Sequence, residues 1–260
     1  MILIRSAEDE GLKQAATLLQ SSAKVVALTG AGISVGSGIP DFRSPGGLWS
    51  IYEPDEYATL SVFRSQPAKA WQLYRALGEV LLNKTANAAH RALAELEQRG
   101  LLAGVVTQNV DNLHQQAGNR VVLEIHGDHQ HLQCLTCDHL EPVVEEHYRS
   151  QDIPLCPACS SALKPNVVLF GEPVRMFDEI EQLVSDCDLL LVVGTSAQVY
   201  PAAGLPLTVK LCGGRVFEFN TQPALVGDGF SGFNLITDFF FEGDVVETLP
   251  LLLAALDNRS

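Results

Sequence analysis

The fold is decided by one continuous stretch, Lys24-Val-Val-Ala-Leu-Thr29 followed by Gly30-Ala-Gly-Ile-Ser34. Its first part is an apolar run, which predicts a buried strand. Gly30 and Gly32 allow the backbone to turn sharply after that strand and to approach a ligand closely. Amide groups at such a turn bind anions, so a phosphate is the expected occupant. Val35 stands where a dinucleotide fingerprint has its third glycine, so other motifs must support a nucleotide site here.

Segments of strand character alternate with segments of helix character along the rest of the chain. This alternation predicts an α/β fold, a Rossmann-like parallel sheet with helices on both faces. We expect strands at 24–29, 101–107, 121–125, 167–170, 189–193, 215–219 and near Phe239, and helices at 7–22, 67–83, 87–99, 176–186, 201–212 and 244–256.

The composition changes between residues 128 and 165, where four cysteines and four histidines occur among few long apolar runs. Strand–helix alternation resumes after this segment, so we interpret it as an insertion into the larger domain. We predict that residues 1–127 and 166–260 form the Rossmann-like domain. Residues 128–165 then form a small module, together with part of a helical insertion at 44–85.

Two cysteine pairs in the module have the spacing of a zinc site. Cys134-x-x-Cys137 and Cys156-x-x-Cys159 are separated by eighteen residues. Each pair can offer two thiolates to one face, and the two pairs complete a tetrahedron around one zinc ion. Four thiolates leave no open coordination position, so the zinc is expected to be structural. The alternative is two unrelated redox pairs.

We expect no metal-binding role for the other two cysteines of the chain or for the histidines of the module. Cys187 and Cys212 lie in apolar sequence and are expected in the core. The four histidines are expected at the solvated surface; they are His129, His131, His139 and His147.

The totals restrict the class of partner. The net charge of the 260 residues is −14, so a nucleic-acid backbone would be repelled and a basic, lysine-bearing protein is the better candidate. Residues 1–10 carry too much charge for a signal peptide, and no apolar run reaches the length of a membrane span. Six cysteines without an export signal indicate a reducing compartment, so we expect a cytoplasmic protein with no membrane contact.

Polar or small residues follow four of the predicted strands: 107–114, Glu124-Ile-His126-Gly127, Gly194-Thr-Ser196 and Asn220. Ligands of parallel α/β sheets bind at the carboxyl ends of strands, so these residues and the glycine loop should meet in one crevice. A histidine there, His126, could act as a general base near neutral pH. A hydrogen-bonded scaffold histidine is the alternative.

Together these motifs resemble those of the sirtuins, the Sir2 family of NAD-dependent protein deacylases, in their prokaryotic form. The resemblance covers about residues 20–256 and includes the four cysteines. The other motifs that carry it are Gly30-Ala-Gly-Ile-Ser34, Gly38-Ile-Pro-Asp-Phe-Arg43, Gln108-Asn-Val-Asp111, His126-Gly127, Val167-Val-Leu-Phe-Gly-Glu172, Gly194-Thr-Ser196 and Asn220.

The resemblance implies NAD as co-substrate and one structural zinc held by Cys134, Cys137, Cys156 and Cys159. It implies His126 as the base and Asn109 as its catalytic partner, positioning a ribose and a water. The residues it places around NAD are Gly30, Ala31, Gly32, Gly194, Thr195 and Ser196 near the phosphates, Asn220 at the adenosine ribose, Gly243 and Val245 at the adenine, Phe42 and Arg43 over the nicotinamide ribose, Gln108 at that ribose, and Val110 with Asp111 at the carboxamide.

The implied substrate is an acyl-lysine protein or peptide. Val167, Val168, Phe170 and Gly171 would pair with it by strand addition. The implied products are nicotinamide, free lysine and O-acyl-ADP-ribose. The alternatives are a mono-ADP-ribosyltransferase on the same fold and a non-enzymatic NAD-binding zinc scaffold.

The sequence also bears on the acyl group. Sirtuins that favour succinyl or malonyl lysine resemble one another in a Tyr-x-x-Arg pair that binds the acyl carboxylate. Tyr74 matches this pair, but Leu77 stands where the arginine would be. Arg75 lies about 100° around a helix from Tyr74. We therefore expect neutral acyl groups to be preferred over succinyl.

Overall fold

The computed structural model describes residues 1–41, 47–225 and 236–257. The predicted site residues Phe42 and Arg43 lie outside these ranges. The strands, in chain order, are β1 (Ile2–Ile4), β2 (Val25–Thr29), β3 (Gly104–Thr107), β4 (Val122–Glu124), β5 (Gly127–Cys134), β6 (Leu140–Pro142), β7 (Leu163–Val167), β8 (Leu189–Val193), β9 (Arg215–Asn220) and β10 (Phe239–Glu242).

The helices cover the sheet and fill the insertion. They are α1 (Glu10–Ser21), α2 (Gly32–Val35), α3 (Pro54–Tyr57), α4 (Leu60–Ser65), α5 (Pro67–Leu81), α6 (Ala88–Gln98), α7 (Leu113–Ala117), α8 (Glu145–Arg149), α9 (Phe177–Val184), α10 (Leu205–Leu211) and α11 (Val245–Asp257), with 3-10 helices at Leu48–Ser50 and Ala202–Gly204. Within the described ranges, none of them is long and apolar enough to cross a membrane.

The main sheet has seven parallel strands in the order β1-β10-β9-β8-β2-β3-β4. The chain leaves β2 toward β3 on one side and later returns to β8 on the other. The crevice between β2 and β8 is therefore the point where the strand order reverses, and open α/β sheets bind ligands at such a point. The predicted α/β, Rossmann-like fold is confirmed.

Alternate residues of the central strands build two separate cores. Val25 and Ala27 of β2 face a cluster that includes Leu19 of α1 and Leu252 of α11. The intervening residues of β2 join the second cluster, with Val184 of α9 among its members. Because both faces are covered by helices, β2 is buried along its whole length. The uninterrupted apolar sequence of this strand reflects that burial.

The cysteine module contains a small antiparallel sheet with the strand order β6-β5-β7. It shares a third core with α5, in which Trp71 and Tyr74 pack with Leu132 and Leu163. The Trp71 indole N–H donates a 2.8 Å hydrogen bond to the Leu163 carbonyl. The helical insertion and the module are therefore packed against each other.

One predicted strand belongs to a different sheet. We expected 167–170 to rejoin the parallel sheet, but this segment follows β7, which pairs antiparallel with β5 and ends at Val167. The next residues turn along the cavity described below, where the Val168 N–H donates to the His126 carbonyl at 2.8 Å. Within this apolar run Val167 and Leu169 are buried, whereas Phe170 is 46% exposed. The apolar pattern could not tell which sheet the segment joined.

Two predictions about single side chains were wrong. His129 is buried rather than solvated, because its ring stacks on Tyr148 and its Nδ1 lies 2.5 Å from the Tyr148 hydroxyl. Cys212 is exposed, since it follows the last turn of α10, whereas Cys187 is buried as expected.

Candidate active site

Glycine is required where the ends of β2 and β8 meet. A Cβ on Gly32 would lie 2.7 Å from the Gly194 Cα, and one on Gly30 would lie 2.8 Å from the Thr195 Cβ. Gly194 itself has φ +58°, and its Cβ would come within 2.5 Å of the Ile33 amide nitrogen. Side chains at these positions would force the two strand ends apart. The glycine loop therefore brings backbone amides and the second strand end to one crevice.

A cavity of about 820 Å³ opens at the carboxyl ends of the central strands. Its volume lies within the range of roughly 300–1,000 Å³ that is usual for ligand sites. The predicted residues that line it are Gly30, Ala31, Gly32, Gln108, Asn109, Val110, His126, Val167, Val168, Phe170, Gly171, Gly194, Thr195, Ser196 and Asn220.

Three predicted NAD contacts do not line this cavity. The Asp111 carboxyl is partly buried and accepts hydrogen bonds from the Ser34 hydroxyl at 2.6 Å and the Leu113 amide at 3.0 Å. Burial raises the pKa of Asp111. Val245 packs into the core at the start of α11, and Gly243 donates its amide to the Asn220 carbonyl at 3.1 Å.

The two amides after β3 tie the strand ends together. The Asn109 Nδ2 donates to the Gly30 carbonyl and to the Ser34 hydroxyl, both at 3.1 Å. The Gln108 Nε2 donates to the Thr195 hydroxyl at 2.9 Å, and so connects β3 to the end of β8. These hydrogen bonds hold both side chains in place, and accurate positioning of a reacting group requires such support.

His126 carries the clearest chemical signal in the cavity. Its Nδ1 lies 3.0 Å from the Gln108 carbonyl oxygen. A carbonyl only accepts, so Nδ1 carries the proton and Nε2 is left with its lone pair. Burial lowers the pKa of His126, while the Gln108 carbonyl raises it. The ring is therefore neutral at neutral pH, and Nε2 can accept a proton.

Asn220 closes the other end of the cavity. Its Nδ2 donates to the Thr195 carbonyl at 3.1 Å, and its Oδ1 accepts the Thr221 amide at 3.0 Å. The carboxyl ends of β8 and β9 are held together in this way. A polar residue at the end of a strand was the sequence signal for this position.

The sequence reasoning assigned no role to several residues that line the cavity. Glu172 lies within a quoted motif, but its spacing gave no indication of a site contact. Trp49 and Tyr200 come from irregular segments, and Tyr200 is 77% exposed. Trp49 lies in a 3-10 helix of one turn and Tyr200 in a turn, and neither gives a periodic pattern, so only the fold could place these two at the cavity.

The cysteine cluster fits a zinc ion. The four Sγ atoms all lie within 4.8 Å of one another, and the pairs Cys134–Cys159 and Cys137–Cys156 are each 3.5 Å apart. Zn–S bonds of about 2.3 Å in a tetrahedron place sulfurs about 3.8 Å apart. All six cysteines of the chain are free thiols, as zinc ligation requires of these four.

The Sir2 family model matches residues 30–201 of this chain. An NAD-dependent protein deacylase of Thermococcus sibiricus is 41% identical over 259 residues, which cover 95% of this chain and 99% of the relative. NAD-dependent protein deacylase 2 of Pyrobaculum aerophilum is 44% identical over 249 residues, 94% of this chain and 95% of the relative.

Solved structures give the same result. A crystal structure of a Sir2 homologue–NAD complex has a TM-score of 0.85 and 38% identity, with 98% of this chain and 96% of that chain covered. A Sir2 variant with a deacetylated p53 peptide and 3′-O-acetyl ADP ribose has a TM-score of 0.84 and 35% identity, with 94% and 97% covered.

Proposed function

The chain belongs to the Sir2 family and is an NAD-dependent protein deacylase, and from this premise we propose that NAD and an acyl-lysine peptide meet in the cavity at the strand ends. The observation that carries the proposal is the neutral His126 ring, which lines the cavity with Nε2 available as a base. The glycine loop flanks the same cavity, and the 167–171 segment forms another part of its wall.

The donors around the cavity suit a dinucleotide. Backbone at Gly30, Ala31 and Gly32 approaches closely enough to surround a pyrophosphate, and α2 begins at this loop. We assign the remaining contacts by the family resemblance: Gly194, Thr195 and Ser196 to the phosphates, Asn220 to the adenosine ribose, Gly243 and Val245 to the adenine through their backbone, Gln108 and Asn109 to the nicotinamide ribose, Val110 and Asp111 to the carboxamide, and Phe42 and Arg43 to the nicotinamide side.

When bound, NAD would supply a glycosidic carbon that the acyl oxygen can attack as the bond to nicotinamide breaks and nicotinamide leaves, and a ribose hydroxyl that completes acyl transfer. His126 Nε2 takes the proton from that hydroxyl. The Gln108 carbonyl, at 3.0 Å from Nδ1, stabilises the imidazolium that results. Asn109 is fixed by the Gly30 carbonyl and keeps the ribose in register with the base.

We assign the peptide contacts to Val167, Val168, Phe170 and Gly171, which line the cavity next to His126. Phe170 is 46% exposed, so its side chain can cover an incoming peptide. The net charge of −14 favours basic sequence around the acylated lysine and disfavours nucleic acid. Thiolate zinc ligands suit a reducing compartment, which supports a cytoplasmic location.

The test is the release of nicotinamide from NAD with and without an acetyl-lysine peptide. We expect release to depend on the peptide and to yield one deacylated peptide per nicotinamide. Label from NAD on an acceptor protein would instead indicate ADP-ribosyl transfer. Binding of NAD with no release under either condition would indicate a scaffold.

A further inference from the structure

Lys164 is a fully buried lysine on β7, with no exposed surface. Its ammonium Nζ lies 2.5 Å from the Val167 carbonyl, 3.3 Å from the Pro165 carbonyl and 3.1 Å from a carboxylate oxygen of Glu172. An ammonium has three donors, and three acceptors surround this one. All three acceptors belong to the segment 165–172.

Keeping this charge in the interior is costly. Burial lowers the pKa of Lys164 to about 8, Glu172 opposes that shift and nearby Arg175 adds to it. A buried charge is tolerated only with a partner and satisfied hydrogen bonds. A methionine would fill the same space without this cost. The lysine therefore needs a reason other than packing.

Glu172 completes the arrangement from the other end of the segment. The carboxylate oxygen that pairs with Lys164 also accepts the Leu169 amide at 2.8 Å. The pair thus holds the segment at the Val167 carbonyl, the Leu169 amide and the Glu172 side chain. Val167, Leu169 and Glu172 all line the cavity. We call residues 167–172 the substrate wall.

The same strand connects the wall to the cysteine cluster. Leu163, next to Lys164, lies opposite Cys134 in the ladder between β7 and β5, and Lys164 lies opposite Gln133. The five residues of β7 therefore connect Leu163, which lies opposite the zinc ligand Cys134, to Val167, the first residue of the substrate wall. Lys164 stands between the two.

We propose that Lys164 and Glu172 are positioning residues that hold the substrate wall in its peptide-binding shape, and that β7 makes this shape depend on the zinc module. The proposal rests on the assignment of residues 167–171 to substrate binding. Neither residue is needed as an acid, a base or an NAD ligand.

Lys164→Met removes the ammonium and keeps an unbranched side chain. We expect the Kd and KM of an acetyl-lysine peptide to rise about tenfold or more, since breaking a buried pair exceeds the roughly 1.4 kcal/mol that a tenfold change represents. The Kd of NAD should stay within about threefold of wild type. Lys164→Arg should restore much of the peptide affinity. If Lys164→Met fails to fold, Lys164→Met/Glu172→Gln removes both charges and tests the same point.

The matched control is Lys210→Met. Lys210 also forms a largely buried pair, at 2.8 Å from Asp238, but Asp238 does not line the cavity, whereas the partner of Lys164, Glu172, does. It should lower stability and leave peptide affinity unchanged. Equal losses of peptide and NAD affinity in Lys164→Met would overturn the proposal. Unchanged peptide affinity in both Lys164→Met and Lys164→Met/Glu172→Gln would also overturn it. Wild-type protein that binds no acyl peptide would instead refute the assignment of the wall.

Discussion

His126 is held by two parts of the fold. Its ring contacts the Gln108 carbonyl after β3, and its main-chain carbonyl accepts the Val168 amide at the start of the substrate wall. The ring that we propose as the base is therefore positioned by both the 108–109 segment and the 167–171 segment of the cavity. Its position does not depend on a flexible side-chain contact.

We predict that His126→Ala lowers kcat by about 10²- to 10⁴-fold, the usual contribution of a positioned base. NAD affinity should change little, because we assign the phosphate contacts to the glycine loop rather than to His126. The measurements are the Kd of NAD and the deacylation rate at saturating NAD. The control is His131→Ala, whose ring pairs with Asp128 outside the cavity and should leave kcat unchanged. Lost NAD affinity with normal turnover would contradict the assignment.

The acyl preference is also decided by single side chains. Tyr74 and Leu77 line the cavity, while the Arg75 guanidinium donates to the carbonyls of Ser150 at 2.7 Å and Gln151 at 2.8 Å. Arg75 is thus committed elsewhere, and among these residues no cation is available for an acyl carboxylate.

We predict that acetyl lysine is preferred over succinyl lysine by roughly ten- to over a hundredfold in kcat/KM. The reason is that a missing charged partner typically costs about 1.5–3 kcal/mol. The comparison uses one peptide with either acyl group. Leu77→Arg should narrow the difference, and Arg75→Leu should not change it. A wild-type preference for succinyl would show that another cation reaches the acyl group.

The sequence predicted correctly which residues line the cavity when those residues directly follow a strand. Gln108, His126, Thr195 and Asn220 all lie at the cavity, because parallel strands bring their carboxyl ends to one edge. The burial of His129 was not predicted, because it comes from packing against Tyr148, a tertiary neighbour that no local sequence pattern reveals.

At the scale of elements, the module is organised around its cysteines. Two of them, Cys134 and Cys156, are buried, and the other two are exposed. Helix α8 and the strands β5 and β7 join the core shared with α5. Metal-free thiolates would repel one another, so the zinc supplies much of the folding energy of this part of the chain.

We predict that Cys156→Ala loses zinc and deacylase activity together. Activity is lost because β7 leads from the cluster into the substrate wall. Bound zinc and turnover are measured on the same monodisperse sample. Cys212→Ala is the control, since Cys212 is exposed and outside the cluster, and it should keep both. Full activity in metal-free Cys156→Ala would show that the module has no effect on the site.

Elements with a continuous apolar sequence were predicted well, and short strands or strands with polar residues were not. The apolar runs of β2 and β8 appear as expected. Helix α6, expected at 87–99, begins directly after its N-cap Asn87. β1 was missed because three residues give no period. The sheet of β7 was missed because its sequence carries Lys164 and Pro165, residues that rarely occupy a buried strand.

At the scale of the whole molecule, three buried histidines affect stability. Burial lowers the pKa of His90 to about 4 and those of His114 and His129 to about 3. The unfolded chain therefore binds more protons than the folded chain below about pH 6.5. Stability is complete above the unfolded pKa and is lost as the pH falls toward the folded values.

We predict a loss on the order of 1 kcal/mol per buried histidine for each pH unit below about 6.5. Urea unfolding with saturating zinc at pH 7.5 and 5.5 measures it. His129→Phe should reduce the pH dependence, whereas His147→Gln, at a partly exposed residue, should not. Identical pH dependence in all three proteins would mean that the histidines do not cause the acid sensitivity.

The pairing of β5 with β7 where the chain enters and leaves the zinc module has an evolutionary consequence. Gly127 pairs with Val167, and a Cβ on Gly127, at φ +78°, would lie 2.0 Å from the Asn166 carbonyl oxygen. The chain enters and leaves the zinc module at this one pair of residues. Beyond it, loops can lengthen, shorten or be exchanged among homologues while the path of the chain through the cavity stays the same. Selection should therefore tolerate change in the module's outer loops long before it tolerates a side chain at Gly127.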